Sequence, residues 1–264
     1  AIAKVLGNMS FYGPPREDLG QVVSGLQSVE KVYEQHGLSV FMQDNLVALM
    51  RNESFFNDSA FTAALMGNAE DDRDTAKIWR LHTCCWAARS ALSLAGDFVE
   101  CGTYKGFYAG VIAQYLGFGG LPREFYLYDT FAGLPPEWST EEERRQANPG
   151  YHWDGVYQDV LNRFAVYPNM HVVKGVVPEV FETIVPERIA FLHLDLNAGA
   201  AETAALDLLV PHLSDGALVL LDDFGRLEMR DLCQAHIDWW GRLDHTILEL
   251  PTGQGLVTYR KTGI

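Results

Sequence analysis

The chain is short of positive charge. Twenty lysines and arginines face 35 aspartates and glutamates, for a net charge of −15 over 264 residues. A polyphosphate partner wants a basic footprint, so the acidic balance argues against nucleic acid as a partner. An anionic membrane surface is disfavoured for the same reason. Long apolar runs are missing as well. No uninterrupted stretch approaches the roughly 18 residues of a spanning helix, so no membrane partner is expected. Residues 1–13 lack the charged-then-apolar order of a secretory signal. Cysteine is scarce: Cys84, Cys85, Cys101 and Cys233 show no C-x-x-C zinc or redox spacing. Reduced, mostly buried thiols in a cytoplasmic protein are expected. Repeats and low-complexity segments are also absent.

What is present is an ordinary globular mixture, 48% apolar and 21% charged. A chain of this length buries roughly three quarters of its unfolded surface and needs no staples. Residues 1–75 read as helices and loops. Leu19, Val22, Val23, Leu26, Val29, Val32 and Tyr33 have amphipathic spacing, which predicts a helix over 18–36. A second such run predicts a helix over 38–51, with Gly37 as the stop between them. A third helix is predicted over 75–94, with Asp74 as its cap and Gly96 as its end. These apolar helices make a homo-oligomer the expected assembly.

From Asp97 short apolar runs alternate with helical patterns. Strands are predicted over 98–101, 124–128, 171–174, 189–196, 217–221, 246–250 and 256–259. Helices are predicted over 108–116, 157–167 and 202–213. Such alternation, with runs apolar on both faces, indicates a parallel sheet covered on both sides. The last two runs are joined by Pro251-Thr252-Gly253-Gln254-Gly255, too short for a crossover, so they form an antiparallel hairpin. The reading is an α/β, Rossmann-like sheet of the class I methyltransferase type over 76–264, with a helical N-terminal extension over 1–75. Residues 133–169 form a long connection between the second and third strands, where function commonly resides. Its Tyr151-His152-Trp153 cluster is either plain loop packing or an acceptor-contacting lid.

The first strand runs into Glu100-Cys101-Gly102-Thr103-Tyr104-Lys105-Gly106 and then a helix. Glycines there allow a sharp turn and close approach of a ligand. A dinucleotide fingerprint would aim amides at a pyrophosphate. S-adenosylmethionine (SAM) has none, and an acid at the strand end suits its cationic groups. A plain tight turn accounts for the motif as well. The second strand ends at Tyr128-Asp129-Thr130-Phe131, where a carboxylate can accept ribose hydroxyls. The third ends at Lys174-Gly175, where adenine would lie, although a turn glycine explains it equally.

The fourth strand ends at His193-Leu194-Asp195-Leu196-Asn197 and the fifth at Leu221-Asp222-Asp223-Phe224-Gly225. Carboxyl ends of parallel strands share one rim. Asp195, Asp222 and Asp223 would therefore converge. Two such charges ~4 Å apart repel by about 4 kcal/mol at an effective dielectric near 20. A divalent cation with oxygen ligands, Mg²⁺ foremost, resolves the conflict. The alternative is that some of the three cap helices or face water. His193 is either a hydrogen-bonded structural residue or a base.

The segments Asp97-Phe98-Val99-Glu100-Cys101-Gly102, Tyr126-Leu127-Tyr128-Asp129-Thr130-Phe131-Ala132-Gly133-Leu134-Pro135, Val173-Lys174-Gly175, Ile189-Ala190-Phe191-Leu192-His193-Leu194-Asp195 and Leu221-Asp222-Asp223-Phe224-Gly225 resemble the macrocin O-methyltransferase family. The likeness spans roughly 76–264. It implies a SAM- and Mg²⁺-dependent enzyme methylating a hydroxyl of a small-molecule acceptor, a sugar or another natural-product intermediate. It implies that Glu100, Gly102, Thr103, Tyr104 and Gly106 line the methionine part of SAM. Asp129, with Thr130 and Phe131, would hold the ribose, and Gly175 with Val176 would flank adenine. Asp195, Asp222 and Asp223 resemble the metal ligands, with Asp195 also beside the cofactor. For residues 1–70 it implies lid and oligomer contacts.

One departure stands out. The family writes Leu-Asp-x-Asp followed by a Tyr and a Ser-Thr pair. This chain reads Leu194-Asp195-Leu196-Asn197-Ala198-Gly199-Ala200-Ala201-Glu202-Thr203. Asn197 can position a hydroxyl but cannot take a proton at neutral pH. Asp195, His193 or His152 must then be the base. A metal-independent methyltransferase for nitrogen or phenol, and a SAM-binding protein without methyl transfer, stay open. A nicotinamide oxidoreductase ranks last, because glycine spacing and hairpin both disagree with it.

Overall fold

The computed structural model describes residues 16–147 and 154–261. The chain divides into two compact units, with the boundary between His82 and Thr83. That division falls within the helix Ile78–Ala91.

The first unit begins with α1 (Arg16–Gln35), as its apolar spacing predicts. The helix expected over 38–51 is instead a hairpin of β1 (Val40–Gln43) and β2 (Leu46–Leu49), paired antiparallel. Asp44 and Asn45 form its two-residue turn at φ 51° and 59°. Asp and Asn tolerate that left-handed backbone, and two such residues in a row close a hairpin rather than extend a helix. Then come α2 (Ser59–Asn68), α3 (Asp72–Ala76) and α4 (Ile78–Ala91). The predicted single helix over 75–94 is broken at Lys77. Its expected cap, Asp74, lies inside α3; Asp71 is the cap and accepts the N–H groups of Arg73 and Asp74.

The second unit is a seven-stranded sheet with helical crossovers. Its elements are β3 (Asp97–Cys101), α5 (Phe107–Leu116), β4 (Phe125–Asp129), α6 (Glu141–Gln146), α7 (Val156–Phe164), β5 (Met170–Lys174), β6 (Ile189–Leu194), α8 (Gly199–Leu209), β7 (Leu213–Leu221), α9 (Arg230–Gly241), β8 (Leu248–Glu249) and β9 (Gly255–Thr258). The strand order is β5-β4-β3-β6-β7-β9-β8. The first five are parallel; β9 enters antiparallel beside β7, and β8 pairs antiparallel with β9. The expected hairpin ending is therefore present.

Central β6 is buried along its whole length, which explains why it is apolar except for His193. Phe98, Phe118, Phe125 and Phe191 pack around β3 with centroids 5.3–5.7 Å apart. Each such buried side chain contributes about 1.5–3 kcal/mol. Arg123 donates to the carbonyls of Ala91, Leu92, Leu94 and Gly96, satisfying the end of α4. Cys84, Cys85 and Cys101 are buried thiols. Among the described residues no helix is long and apolar enough to cross a membrane.

Candidate active site

The chain order reverses at β3, whose neighbours are β4 on one side and β6 on the other. Ligands of open α/β sheets bind outside the strand ends at such a point. Here the turn after β3 has Gly102 at φ 95°, Tyr104 at φ 48° and Gly106 at φ 73°. A Cβ at Gly102 would overlap the Asp195 carbonyl oxygen. The glycine thus lets the tips of β3 and β6 touch. At Gly106 a Cβ would overlap the Phe164 ring.

Asp129, at the tip of β4, ties this turn down. Its Oδ2 accepts the Tyr104 N–H at 2.7 Å and its Oδ1 accepts the Phe131 N–H at 2.6 Å. Burial raises the Asp129 pKa, against the opposing pull of those two bonds. Phe131 has φ 50°, so both donors belong to residues in a left-handed backbone. Carboxylate oxygens accept more than one bond each, so ribose hydroxyls can still be received. Thr130 serves the turn itself: its hydroxyl donates to the Gly133 carbonyl and accepts the Ala132 N–H. Gly175 packs so tightly that a Cβ would overlap Val180, and the Val176 carbonyl accepts the Val180 N–H at 2.7 Å.

Glu100 is turned inward. It is buried, and its Oε2 lies 3.1 Å from His193 Nδ1. On the opposite side of that ring, Nε2 lies 3.6 Å from Asp222 Oδ1. Burial alone would lower the His193 pKa; the carboxylates of Asp222 and Glu100 outweigh it and raise the pKa to about 10. Burial also pushes the Glu100 pKa up, with His193 opposing. The Tyr108 ring lies against the imidazole, centroids 5.2 Å apart. The two acids thus favour the protonated form of His193, in which neither ring nitrogen accepts a proton.

His193, Asp195 and Asp222 bring ligand atoms within 4.8 Å of one another. His193⁺ balances one of the neighbouring carboxylates, Glu100 or Asp222. Counting Asp195, two negative charges remain at adjacent strand tips. That donor set suits a hard dication that keeps most of its waters. The expected third acid does not join it: Asp223 pairs with Arg226 at 3.2 Å. Asn197, at φ 56°, donates from Nδ2 to Asp195 Oδ1 at 3.2 Å.

Five contributors went unseen in the sequence. Gln254, in the β8–β9 turn, is buried and donates to Asp222 Oδ1 at 2.8 Å; Thr252 donates to its Oε1. Glu202 accepts the Leu196 N–H, and His236 holds Glu202. Glu143 of α6 accepts the Gly199 N–H at 3.0 Å. Only Glu143 carried a local signal, the Thr140-x-x-Glu143 capping box. Tyr151, His152 and Trp153, the candidate lid cluster, lie outside the described residues.

A family model described as macrocin-O-methyltransferase (TylF) matches residues 74–246. Among curated proteins, none matches the chain. Among solved structures, the O-methyltransferase NovP superposes with a TM-score of 0.60 at 17% identity, over 76% of this chain and 88% of NovP. CalS11, a calicheamicin methyltransferase, superposes with a TM-score of 0.61 at 16% identity, over 94% of this chain and 95% of CalS11. An apo structure of CalS11, described as a TDP-rhamnose 3'-O-methyltransferase, gives 0.54 at 18% identity, over 94% and 97% of the two chains.

Proposed function

Because the chain belongs to the macrocin O-methyltransferase family and is a SAM-dependent O-methyltransferase, we propose that it methylates a hydroxyl of a sugar or another natural-product intermediate, with Mg²⁺ at Asp195 and Asp222. The observation that carries this reading is the pairing of those two carboxylates on the rim that also holds the Gly102–Gly106 turn. CalS11, described as acting on TDP-rhamnose, lends the sugar class its weight.

An aliphatic hydroxyl is hardly ionised at neutral pH. Mg²⁺, when bound, lowers the pKa of such an oxygen and fixes its place. The chain supplies the rest. Asp129 receives the ribose hydroxyls, while the Tyr104 and Phe131 amides hold it in position. The turn after β3 admits the methionine part of SAM, and the segment around Gly175 and Val176 flanks adenine. Glu100 and Asp222 hold His193 as a cation, which steadies the acid rim. Asp195 takes the hydroxyl proton as the acceptor oxygen forms its bond to the methyl carbon. The S–CH₃ bond breaks with its electron pair going to sulfur, leaving neutral S-adenosylhomocysteine. Asn197 aims Asp195 through their mutual hydrogen bond. Orientation of this kind converts an encounter into an effectively unimolecular step.

The test is transfer of labelled methyl from SAM to a panel of glycosylated natural products, simple phenols and amines. The expected result is an O-methyl sugar, with turnover lost in EDTA and restored by Mg²⁺. Full turnover in EDTA removes the metal from the reading. Asp195 and Asp222 are the two carboxylates offered to a metal here, because Arg226 engages Asp223. That favours one second reading, metal-independent transfer to a phenol or nitrogen, which the EDTA arm separates.

A further inference from the structure

We propose that Glu202 and His236 are a buried positioning pair for the loop that carries Asp195 and Asn197. Leu196, between those two residues, donates its N–H to Glu202 Oε1 at 3.0 Å. The other oxygen, Oε2, lies 2.6 Å from His236 Nε2. Glu202 is 2% exposed and His236 0%. A carboxylate so placed stays only where its partners are fixed.

Glu202 sits in the first turn of α8 but does not cap it. The N-cap residue, Ala198, has no side-chain cap, and Glu202 reaches past it to Leu196. Directly after Leu196, Asn197 takes a left-handed backbone at φ 56°. Such a conformation persists where its surroundings over-determine it. Here Leu196 is held on one side by Glu202 and Gly199 on the other by Glu143. Between those anchors the Asn197 amide meets Asp195 Oδ1. His236 on α9 thus acts through Glu202 and Leu196 on the direction of two site side chains. Glu202 lies in the segment where this chain departs from the family's Tyr and Ser-Thr residues.

The metal arm of the test rests on the proposed Mg²⁺ site; the exchange arm does not. Mn²⁺ is the probe, followed by electron paramagnetic resonance on the full chain with saturating S-adenosylhomocysteine. Glu202→Met has similar length and no acceptor. Glu202→Gln keeps an oxygen for Leu196 and turns its amide NH₂ to His236, whose Nε2 then accepts. The expected result is Mn²⁺ affinity at least tenfold weaker in Glu202→Met, near parental in Glu202→Gln, and S-adenosylhomocysteine affinity within threefold throughout. A purely structural role would lower both affinities together. That outcome, parental Mn²⁺ binding in Glu202→Met, or a Glu202→Gln as weak as Glu202→Met overturns the proposal. If the parent binds no Mn²⁺, the metal reading fails and amide exchange at Leu196 decides. A rise of at least 100-fold in Glu202→Met, reversed in Glu202→Gln, supports the pair; an unchanged rate refutes it. If Glu202→Met does not fold, Glu202→Asp, one methylene shorter, takes its place.

Discussion

The Tyr104 N–H points at Asp129 Oδ2 from 2.7 Å, joining the turn after β3 to the tip of β4. Tyr104 adopts φ 48° there, a conformation that costs an L residue about 1–2 kcal/mol. The Phe131 N–H makes the matching bond to Oδ1. Asp129→Ala removes both acceptors and frees both strained residues. S-adenosylhomocysteine affinity, read by calorimetry, is expected to fall at least tenfold, about 1.4 kcal/mol. Asp129→Asn keeps one acceptor and should lose less.

Gly102→Ala sets a methyl against the Asp195 carbonyl at φ 95°. Strain and overlap together should cost about 2–5 kcal/mol. A thermal melt reads the loss. Gly241→Ala is the control: nothing lies within 4 Å of its added Cβ, and it should be neutral or stabilising by about 0.4–1 kcal/mol. Equal melting temperatures for Gly102→Ala and the parent would refute the close approach of β3 and β6.

The adjacent acids should separate functionally. Asp222→Asn is expected to abolish Mn²⁺ binding, because it removes one of two carboxylates. Asp223→Asn, whose parent side chain pairs with Arg226, should leave Mn²⁺ affinity within about threefold, a difference below about 0.7 kcal/mol. The reverse pattern would exchange their roles.

His82 stacks on Phe55, centroids 4.9 Å apart, with Phe61 edge-on. Burial lowers its pKa, with Asp58 opposing. The unfolded chain therefore takes the proton first. Stability present above the unfolded pKa, near 6.5, is lost as pH falls through the folded value. Urea midpoints at about pH 7.5 and about pH 5 should differ less in His82→Phe than in the parent. Equal differences would remove His82 as the cause.

Much of this architecture was readable because strand ends obey a rule. Once Glu100, Asp129, Asp195 and Asp222 are placed at the ends of parallel strands, the rim assembles them without further information. Orientation at a strand exit is less readable. Asp222 and Asp223 are equivalent in composition, and only Arg226, three residues on, marks which one is engaged elsewhere. The segment 38–51 failed differently. Its apolar spacing fits helix and hairpin alike, and the deciding signal was Asp44-Asn45, two residues that accept positive φ. Glu202 and His236 left no trace, because 34 positions separate them and nothing local reveals such a partnership.

Gln254 reaches back from the β8–β9 turn to Asp222, and it lies downstream of the stretch shared with the family, which ends at residue 246. The tail is therefore not mere scaffolding. Amino-acid drift in the closing turn acts directly on the acid rim while every signature motif stays intact, so two relatives with identical motifs can diverge in reactivity through the β8–β9 turn. A tag fused close behind β9 deserves the same caution as a change in the site itself.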